Sequence, residues 1–277
     1  MVGFCCAMPR SKAVPYSIEA GCDMFLFNKD IDEDFGYLKK GIENGILSQQ
    51  RLNDALTRIL GTKAAMGLHT KQKENKLVPK ESELSVLGCS GHIEAAKDCA
   101  DRSVTLVKDR DSLLPIKPEK HRRILLEVVG GFESDKRVAE GFRDILLSEG
   151  FEVTVYEPED FRTLDTSVER FKNKYDLVLY AGNIETISNK TVSRINWHTM
   201  FGQGNNIPWF TAEIPVVFVG VGNPYLMQDV PMIGTFINAY YNSNLVIKAV
   251  VDKLLGKSEF KGKSPIDPYC GRKELYY

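Results

Sequence analysis

The stretch ILLEVVGG at positions 124–131 decides the fold. It joins an apolar run, ILLEVV at 124–129, to a pair of glycines at 130 and 131. An apolar run of this length is typical of a strand buried on both faces, and the glycines predict the turn that ends it. A helical pattern follows over 135–148. Strand, turn and helix therefore come in the order of a parallel α/β unit.

The same alternation continues on both sides of this stretch. Further strands are predicted at 103–107, 151–156, 176–181, 215–221 and 235–240, and further helices at 166–174 and 243–255, with Gly256 as the cap of the last. Apolar runs of strand length that alternate with helical patterns indicate a parallel sheet. The second half of the chain is therefore predicted to be an αβα sandwich that resembles flavodoxin.

The first part of the chain has a different order of elements. A short helix is predicted over 13–20, a fully buried strand over 22–27 (CDMFLF) and a helix over 32–43 whose first turn is acidic. The clearest helix begins after Ser48 as its N-cap and ends at Gly67. Its apolar residues recur at spacings of three and four and predict a face covered by a partner layer: Leu52, Ala55, Leu56, Ile59 and Leu60.

Composition and charge limit the kinds of partner. A chain of 277 residues fits about two domains. The segment 69–90 mixes Lys and Glu and is predicted to be a linker between domains at 1–68 and 91–277. The 36 basic and 37 acidic residues nearly cancel, so the sequence predicts no nucleic-acid or anionic-membrane partner. The apolar runs are too short to cross a bilayer, and the first residues do not resemble a signal peptide.

The six cysteines show no metal-ligand or redox spacing. We expect structural thiols in a reducing compartment, which favours the cytoplasm. The cysteines are Cys5, Cys6, Cys22, Cys89, Cys99 and Cys270.

Motifs for cofactor binding are weak. Gly130 and Gly131 follow a strand as a phosphate loop would, but GGFESD is neither a dinucleotide fingerprint nor a P-loop, and a plain turn is favoured. A second glycine cluster, FGQGNN at 201–206, does not follow a strand. No two of the histidines at 69, 92, 121 and 198 have helical metal-ligand spacing. The sequence therefore predicts no metal and no cofactor, and His198 beside Trp197 is interpreted as a packed loop histidine.

Three acidic residues stand in apolar surroundings, where a catalytic carboxyl group would be sought. They are Asp23, Asp176 and Asp229. Each lies singly at the boundary of an element, where a carboxylate commonly caps or turns the backbone. Hydrolysis of a glycosidic bond needs two carboxyl groups on either side of it. We therefore interpret all three as structural.

Two segments carry a specific resemblance to a known family. IEAGCDMFLF at 18–27 and GIENGILSQQRLNDALTRILGTKAAMGL at 41–68 resemble the end of the catalytic barrel of glycoside hydrolase family 3. The segments at 96–109, 223–231 and 236–267 are similar to parts of that family's carboxy-terminal sandwich. The residues that match the family's motifs in the first part are Ala20, Gly21, Asp23, Gly45, Ile46, Ser48, Arg51, Leu52, Arg58, Ile59, Leu60, Lys63, Gly67 and Leu68.

The resemblance implies a retaining hydrolase of O-glycosyl bonds. The segment at 7–27 resembles the β-N-acetylhexosaminidase branch, so the expected substrates are glycosides that contain N-acetylglucosamine. In that branch the nucleophile is an aspartate late in the barrel, and the acid/base is an aspartate and histidine pair near a K-H-F-P-G-H-G motif. Neither segment is present, so we expect the chain to start just downstream of the nucleophile. We expect no catalytic residue here and only Asn28, past the predicted strand, at the substrate face.

A complete eight-stranded barrel takes about 250 residues, and the 68 before the linker cannot close one. The sequence therefore predicts the last elements of a truncated (β/α)8 barrel followed by the sandwich, a chain inactive by itself.

Two alternatives remain open. The sandwich could be a non-catalytic module that binds sugar through Trp197 and Trp209. It could also be the tail of a β-glucosidase that donates an acid/base glutamate, for which Glu185 and Glu213 are the best candidates. The sequence does not indicate an oligomeric state.

Overall fold

The computed structural model describes residues 2–131, 133–157, 167–187, 190, 192–197 and 206–276. The chain divides into two compact units, Met1–Leu87 and Gly88–Tyr277. The segment predicted as a linker, 69–90, is exposed at nearly every residue and contains a 3₁₀ helix at Glu81–Val86. The predicted limits of the domains stay a prediction.

The first unit is helical. Its helices are α1 (Val2–Ala7), α2 (Arg10–Glu19), α3 (Ile31–Glu43), α4 (Gln49–Ala65) and α5 (Leu68–Lys73). The predicted N-cap of α4 is confirmed, since the Ser48 hydroxyl accepts from the backbone N–H of Arg51 at 3.2 Å. Gly67 follows this helix with a left-handed φ of 66°, as a C-terminal glycine should.

The strand predicted at 22–27 is wrong. No residue in this segment has strand structure, and Met24, Leu26 and Phe27 are exposed, the last at 97%. A strand needs a neighbour to pair its backbone N–H and C=O groups. No strand lies in the described part of the first unit, so an apolar run alone does not form one here. The barrel remnant stays a prediction.

The apolar face of α4 is only partly covered. Ala55 is buried and Leu52 and Ile59 are half-buried, whereas Leu56 and Leu60 are exposed. The predicted spacing of the face is correct, but the partner layer that it requires does not cover its whole length.

The second unit alternates helices and strands as predicted. Its elements are α6 (Ser90–Ser103), β1 (Thr105–Asp109), β2 (Arg123–Val129), α7 (Ser134–Ser148), β3 (Glu152–Val155), α8 (Val168–Lys174), β4 (Leu177–Gly182), β5 (Val216–Gly220), β6 (Thr235–Asn238) and α9 (Asn244–Leu254). Helix α6 was not predicted from the sequence pattern. The last helix is capped as expected, because the Ser243 hydroxyl accepts from Val246 N–H and Gly256 follows with a φ of 71°.

The six strands form one sheet in the order β1-β6-β5-β4-β2-β3. The five strands from β2 to β6 are parallel, and their order is the 2-1-3-4-5 order of flavodoxin. Strand β1 differs from the prediction, since it begins at Thr105 and pairs antiparallel with β6 at the edge. An antiparallel edge strand on a parallel sheet is common, and sequence pattern alone does not set strand direction.

The sheet carries a hydrophobic core on each face. One face packs against α6, α7 and α9 and includes Val138, Phe142 and Leu146 of α7. The other face is rich in aromatic residues and includes Tyr180, Phe218 and Phe236. Full burial of such side chains contributes about 1.5–3 kcal/mol each, so both layers are needed to cover the sheet.

Candidate functional site

The order of the strands singles out one edge of the sheet. In an open parallel sheet, ligands bind outside the carboxyl ends of the strands, where the strand order reverses. Here that switch point lies between β2 and β4, which are neighbours in the sheet and end at Val129 and Gly182. The residues that follow these two ends therefore define the candidate site.

A buried asparagine organises the site. Asn183, fully buried directly after β4, donates from Nδ2 to Ser134 Oγ at 2.9 Å and to Asp135 Oδ1 at 2.5 Å. Asp135 Oδ2 in turn accepts from the backbone N–H of Gly131 at 2.7 Å. A Cβ at Gly130 would lie 2.5 Å from the Asn183 carbonyl oxygen, so the close approach of the two strand ends requires glycine there.

These contacts favour a structural turn over a phosphate loop. The backbone N–H of Gly131, at the start of α7, is satisfied by the Asp135 carboxylate. A phosphate at this place would meet that negative charge. The arrangement therefore agrees with the sequence interpretation of Gly130 and Gly131 as a turn.

A second group of side chains joins this network from the loop before α9. Asn242, also buried, donates from Nδ2 to Asn183 Oδ1 at 2.9 Å and to Glu185 Oε1 at 2.5 Å. Arg137 donates to the backbone carbonyl of Asn242 at 2.9 Å and to its Oδ1 at 3.2 Å. The half-buried Glu185 carboxylate is thus fixed at the carboxyl edge of the sheet, where it could accept from or exchange a proton with a hydroxyl ligand.

The structure separates the two glutamates that the sequence offered as an acid/base group. Glu185 belongs to the switch-point network. Glu213 lies before β5, at the amino end of that parallel strand, with Lys172 at 3.9 Å. Because the two ends of a parallel strand lie at opposite edges of the sheet, these carboxyl groups cannot act on one bond from the same site.

Asn28 lies in the first unit and has a polar neighbour there. Its Nδ2 donates to Asp34 Oδ2 at 3.3 Å. Asp34 is buried and also binds Arg10 at 2.5 Å. This contact belongs to the turn into α3. A role of Asn28 in substrate binding stays a prediction.

The three singled-out aspartates are all engaged by arginine. Asp23 pairs with Arg51. Asp176 pairs with Arg123 at 2.5 Å, and Asp229 pairs with Arg194. The hydrogen bond from Arg51 lowers the pKa of Asp23, and the hydrogen bond from Arg123 lowers the pKa of Asp176. Carboxylates held ionised in this way join neighbouring segments, in line with the structural interpretation.

The histidines give no metal site among the residues that the structure describes. His69 and His92 are exposed, whereas His121 is buried and accepts from Lys117 N–H at 3.3 Å. Burial lowers the pKa of His121, which favours the neutral imidazole. His198 and residues 201–205 of the glycine cluster lie outside the described residues.

The two tryptophans pack against other aromatic rings. Trp197 is half-buried and meets the Tyr180 ring edge-on, with 6.1 Å between centroids. Trp209 lies 5.3 Å from the Phe171 ring and keeps 37% of its surface exposed. Trp209 therefore retains a surface on which a ligand could stack, whereas Trp197 belongs mainly to the core.

Sequence reasoning missed several polar residues of the second unit. Asn183 and Arg137 lie outside the segments that resemble the family, and Asn242 lies within the segment 236–267 but was not singled out there. The position of Asn183 directly after a strand is the one signal that could have found it. Glu127, in the middle of β2, was hidden inside an apolar run and is 3% exposed. Burial raises the pKa of Glu127 well above its usual value, and burial likewise raises that of the neighbouring Tyr180.

The structure also describes the state of five cysteine thiols and the length and apolarity of the helices. In the described part of the chain five cysteines are free thiols, of which Cys89 is half-buried and the other four are exposed: Cys6, Cys22, Cys99 and Cys270. The expectation of buried structural thiols is therefore wrong for these four. None of the helices in the described ranges is long and apolar enough to cross a membrane.

These features define a doubly wound α/β protein with a polar network at its switch point. No family model matches the chain. It is 40% identical over 282 aligned residues to a beta-N-acetylglucosaminidase/beta-glucosidase of Cellulomonas fimi, which covers 98% of this chain and 48% of the relative. It is also 27% identical over 115 residues to a lysosomal beta glucosidase of Dictyostelium discoideum, over 42% of this chain and 14% of that protein.

Solved structures give the same relationship. A beta-glucoside phosphorylase, BglX, matches with a TM-score of 0.75 and 36% identity, over 98% of this chain and 48% of that one. A family 3 beta-N-acetylglucosaminidase from Paenibacillus sp. matches in fold, with a TM-score of 0.54 and 17% identity, over 94% of this chain and 48% of that one. The chain spans about half the length of the first of its curated relatives, 48%. These matches bear out the predicted resemblance to glycoside hydrolase family 3 and are consistent with the carboxy-terminal portion of such proteins.

Proposed function

We propose that the chain is the carboxy-terminal part of a retaining glycoside hydrolase of the β-N-acetylglucosaminidase type, which acts on glycosides that contain N-acetylglucosamine. The observation that carries this is the 40% identity, over 98% of the chain, to a protein named for that activity. In this proposal the nucleophile and the acid/base pair, which the family resemblance places in the catalytic barrel, are not supplied by this chain, and we expect the chain by itself not to hydrolyse glycosides.

The exposed apolar surface of the first unit supports this division. Leu26, Phe27, Ile31 and Phe35 are each at least 69% exposed. Large apolar side chains exposed so close together in the sequence are typical of a place where other protein packs. We propose that the remaining elements of a (β/α)8 barrel cover it and supply the missing carboxyl groups, with Asn28 near the substrate face.

The proposal is tested by assaying the purified chain with para-nitrophenyl N-acetyl-β-glucosaminide and para-nitrophenyl β-glucoside. We expect no release of nitrophenol above a blank, because a second carboxyl group at catalytic distance is needed. Appreciable turnover would contradict the proposal. The positive control is a protein that joins this chain to the proposed catalytic part, called the full-length protein below, and it should cleave the N-acetylglucosaminide.

The β-glucosidase alternative is favoured by the location of Glu185. Its carboxylate lies at the switch point, where general acid/base chemistry on a ligand is possible. Replacing Glu185 with Gln in the full-length enzyme tests it, with Glu213→Gln as the matched control at the opposite edge. A loss of about a hundredfold or more in kcat for the first variant alone would favour this alternative. Retained turnover in both variants would remove it.

Phosphorolysis is a second candidate function, favoured by the relative of known structure named as a beta-glucoside phosphorylase. In a retaining enzyme the bond to the aglycone breaks as the nucleophile bonds to the anomeric carbon, and in phosphorolysis a phosphate oxygen, in place of water, then displaces that nucleophile. Assaying the full-length protein with and without inorganic phosphate distinguishes the two. A glycosyl phosphate product identifies a phosphorylase, and free sugar at an unchanged rate identifies a hydrolase.

A non-catalytic module that binds sugar stays the third alternative. Location in the cytoplasm is likewise proposed, and the free thiols of the described residues support it. Titration of thiols in the native protein isolated from its cells tests it. Blocked or paired cysteines would count against a reducing compartment.

A further inference from the structure

A polar cleft opens at the edge of the sheet opposite the candidate site. It has a volume of about 340 Å³ and lies where Val216 and Thr235 begin β5 and β6. Its walls are the loop 110–113 after β1 and the segment 211–215 before β5. Strands of about five residues at roughly 3.3 Å each put some 15 Å between the two edges, so this cleft is separate from the switch-point network.

The charges that line the cleft balance. Arg110 and Asp111 form an ion pair at 3.2 Å on one wall, and Lys120 and Glu213 add one charge of each sign. The lining therefore presents both cationic donors and carboxylate acceptors without a net charge. Such a surface is suited to a neutral ligand whose groups both donate and accept hydrogen bonds.

Several polar side chains that line the cleft can form further hydrogen bonds. In the described part of the chain, the side chains of Ser112, Lys120 and Thr211 make no hydrogen bond or ion pair. Glu213 has only the distant ionic contact with Lys172 at 3.9 Å. The cleft thus offers two hydroxyls, an ammonium and a carboxylate to whatever enters it.

Hydrogen bonds within the loop and to the start of β6 fix the position of the loop that carries Ser112. Asp109 Oδ1 accepts from Leu113 N–H at 3.0 Å and from the Thr235 hydroxyl at 2.8 Å, which fixes the loop to the start of β6. The backbone N–H of Arg110 donates to the Gly234 carbonyl at 2.9 Å, which also holds the loop against the start of the strand. The wall of the cleft is therefore preformed.

We propose that this cleft binds a neutral saccharide of one or two units, as a second sugar site remote from the switch point. Every sugar hydroxyl is both a donor and an acceptor, and the free groups of Ser112, Lys120, Thr211 and Glu213 match that chemistry. The volume lies at the small end of ligand pockets. Trp209, two residues from Thr211 and partly exposed, is an aromatic surface on the same turn.

The affinity is expected to be weak. More of the surface of the cleft is polar than apolar, and hydrogen bonds to the ligand replace hydrogen bonds to water with a small net gain. Millimolar dissociation constants are therefore expected. The site is independent of catalysis, so binding is measurable in this chain whether or not it hydrolyses glycosides.

The test is a titration of the ¹⁵N-labelled full chain with N-acetylglucosamine and with glucose, followed by amide chemical shifts. We expect saturable shifts at Ser112, Thr211 and Gly234. The variants Lys120→Met and Glu213→Gln should each weaken binding at least about fivefold, because each removes a charged hydrogen-bonding partner. Lys97→Met and Glu94→Gln alter exposed residues of α6 whose side chains form no hydrogen bond or ion pair in the described part of the chain. They are the matched controls and should bind as the original chain does.

Three results would overturn the inference. They are the absence of saturable shifts, shifts confined to Asn183, Glu185 and Asn242, and equal binding in all variants. A parallel titration with inorganic phosphate tests whether the cleft binds an anion and not a sugar, since Arg110 and Lys120 are cations. Saturable binding of phosphate without binding of sugar would also refute the inference. None of these results would bear on the proposed function, which the turnover assay tests.

Discussion

Glu127 is a carboxyl group placed in the middle of a buried strand. It is 3% exposed on the aromatic face of the sheet, opposite Tyr180 in the register of β2 and β4. Its Oε1 atom has no hydrogen-bond partner among the described residues, and the Tyr180 hydroxyl donates to the Asn206 carbonyl at 3.2 Å. Burial therefore raises the pKa of Glu127 well above its usual value, which favours the protonated form of the group.

The raised pKa makes stability depend on pH. In the folded state Glu127 retains a proton that the same side chain in the unfolded chain releases above a pKa of about 4.3. The contribution of the protonated carboxyl group to the free energy of unfolding is therefore complete below that pH. This stabilising contribution is lost as the pH rises towards the pKa that Glu127 has in the folded protein. Each unit of elevation corresponds to about 1.4 kcal/mol in the free energy of unfolding.

At about pH 8 we expect the free energy of unfolding of Glu127→Gln to exceed that of the original chain by at least about 1 kcal/mol, so the variant should unfold at a higher urea concentration. At about pH 4 the two proteins should differ little. The amide is neutral at every pH, so this variant lacks the loss that ionisation causes. Tryptophan fluorescence follows the unfolding, because Trp197 contacts Tyr180 in the same core. Glu119→Gln, an exposed control, should show no such difference. Parallel pH profiles for all three proteins would contradict this prediction.

At the scale of elements, caps and partners decide which patterns become structure. Helices α3, α4, α8 and α9 each begin after an Asp or Ser whose side chain accepts from a backbone N–H in the first turn. These caps use only neighbours in the sequence, which explains why the starts of α3, α4 and α9 were predicted closely. The segment 22–27 has the opposite outcome, because a strand needs a partner from elsewhere.

The cap of α9 gives a prediction at this scale. Ser243→Ala removes the oxygen that accepts from Val246 N–H and should lower the free energy of unfolding by about 1 kcal/mol. The effect concerns the sandwich, because α9 packs on α6 and α7. Urea denaturation measures it, and Ser243→Asp, which keeps an acceptor, should lose much less. A variant Ser243→Ala as stable as the original chain would show that the cap does not contribute.

At the scale of the whole molecule, the two units differ in how well their apolar surface is covered. The sandwich has a core on each face of its sheet. The first unit leaves Met24, Leu26, Phe27 and Phe35 exposed. Apolar patches on this scale bind other protein or hydrophobic dyes.

We therefore expect the isolated chain to enhance the fluorescence of anilinonaphthalene sulfonate in its native state. The double variant Leu26→Lys with Phe27→Lys should reduce this fluorescence by about half or more, since it places charges on the patch. Leu147→Lys is the matched control on α7, where the leucine is 47% exposed outside the patch. Equal dye fluorescence in the double variant and the control would show that the first unit is not the dye-binding surface.

Much of the sandwich could be predicted from the sequence. ILLEVV at 124–129 and the apolar runs after it gave all five parallel strands, since the inner strands of such a sheet are buried on both faces and are mostly apolar. The functional network was predicted less well. Glu185 was named as a candidate, but its neighbours Asn183 and Asn242 are 59 residues apart in the sequence and meet only through the folded sheet.

The sequence by itself determined the local features of this protein: the helix caps, the alternation of strands and helices, and the motifs shared with glycoside hydrolase family 3. Each depends on residues close in the chain or on a pattern read along it. Only the tertiary structure decided the antiparallel direction of β1, the failure of 22–27 to form a strand, and the opposite locations of Glu185 and Glu213. The physical reason is that strand pairing and the meeting of polar side chains depend on distant segments, whose contacts form only when the chain is folded.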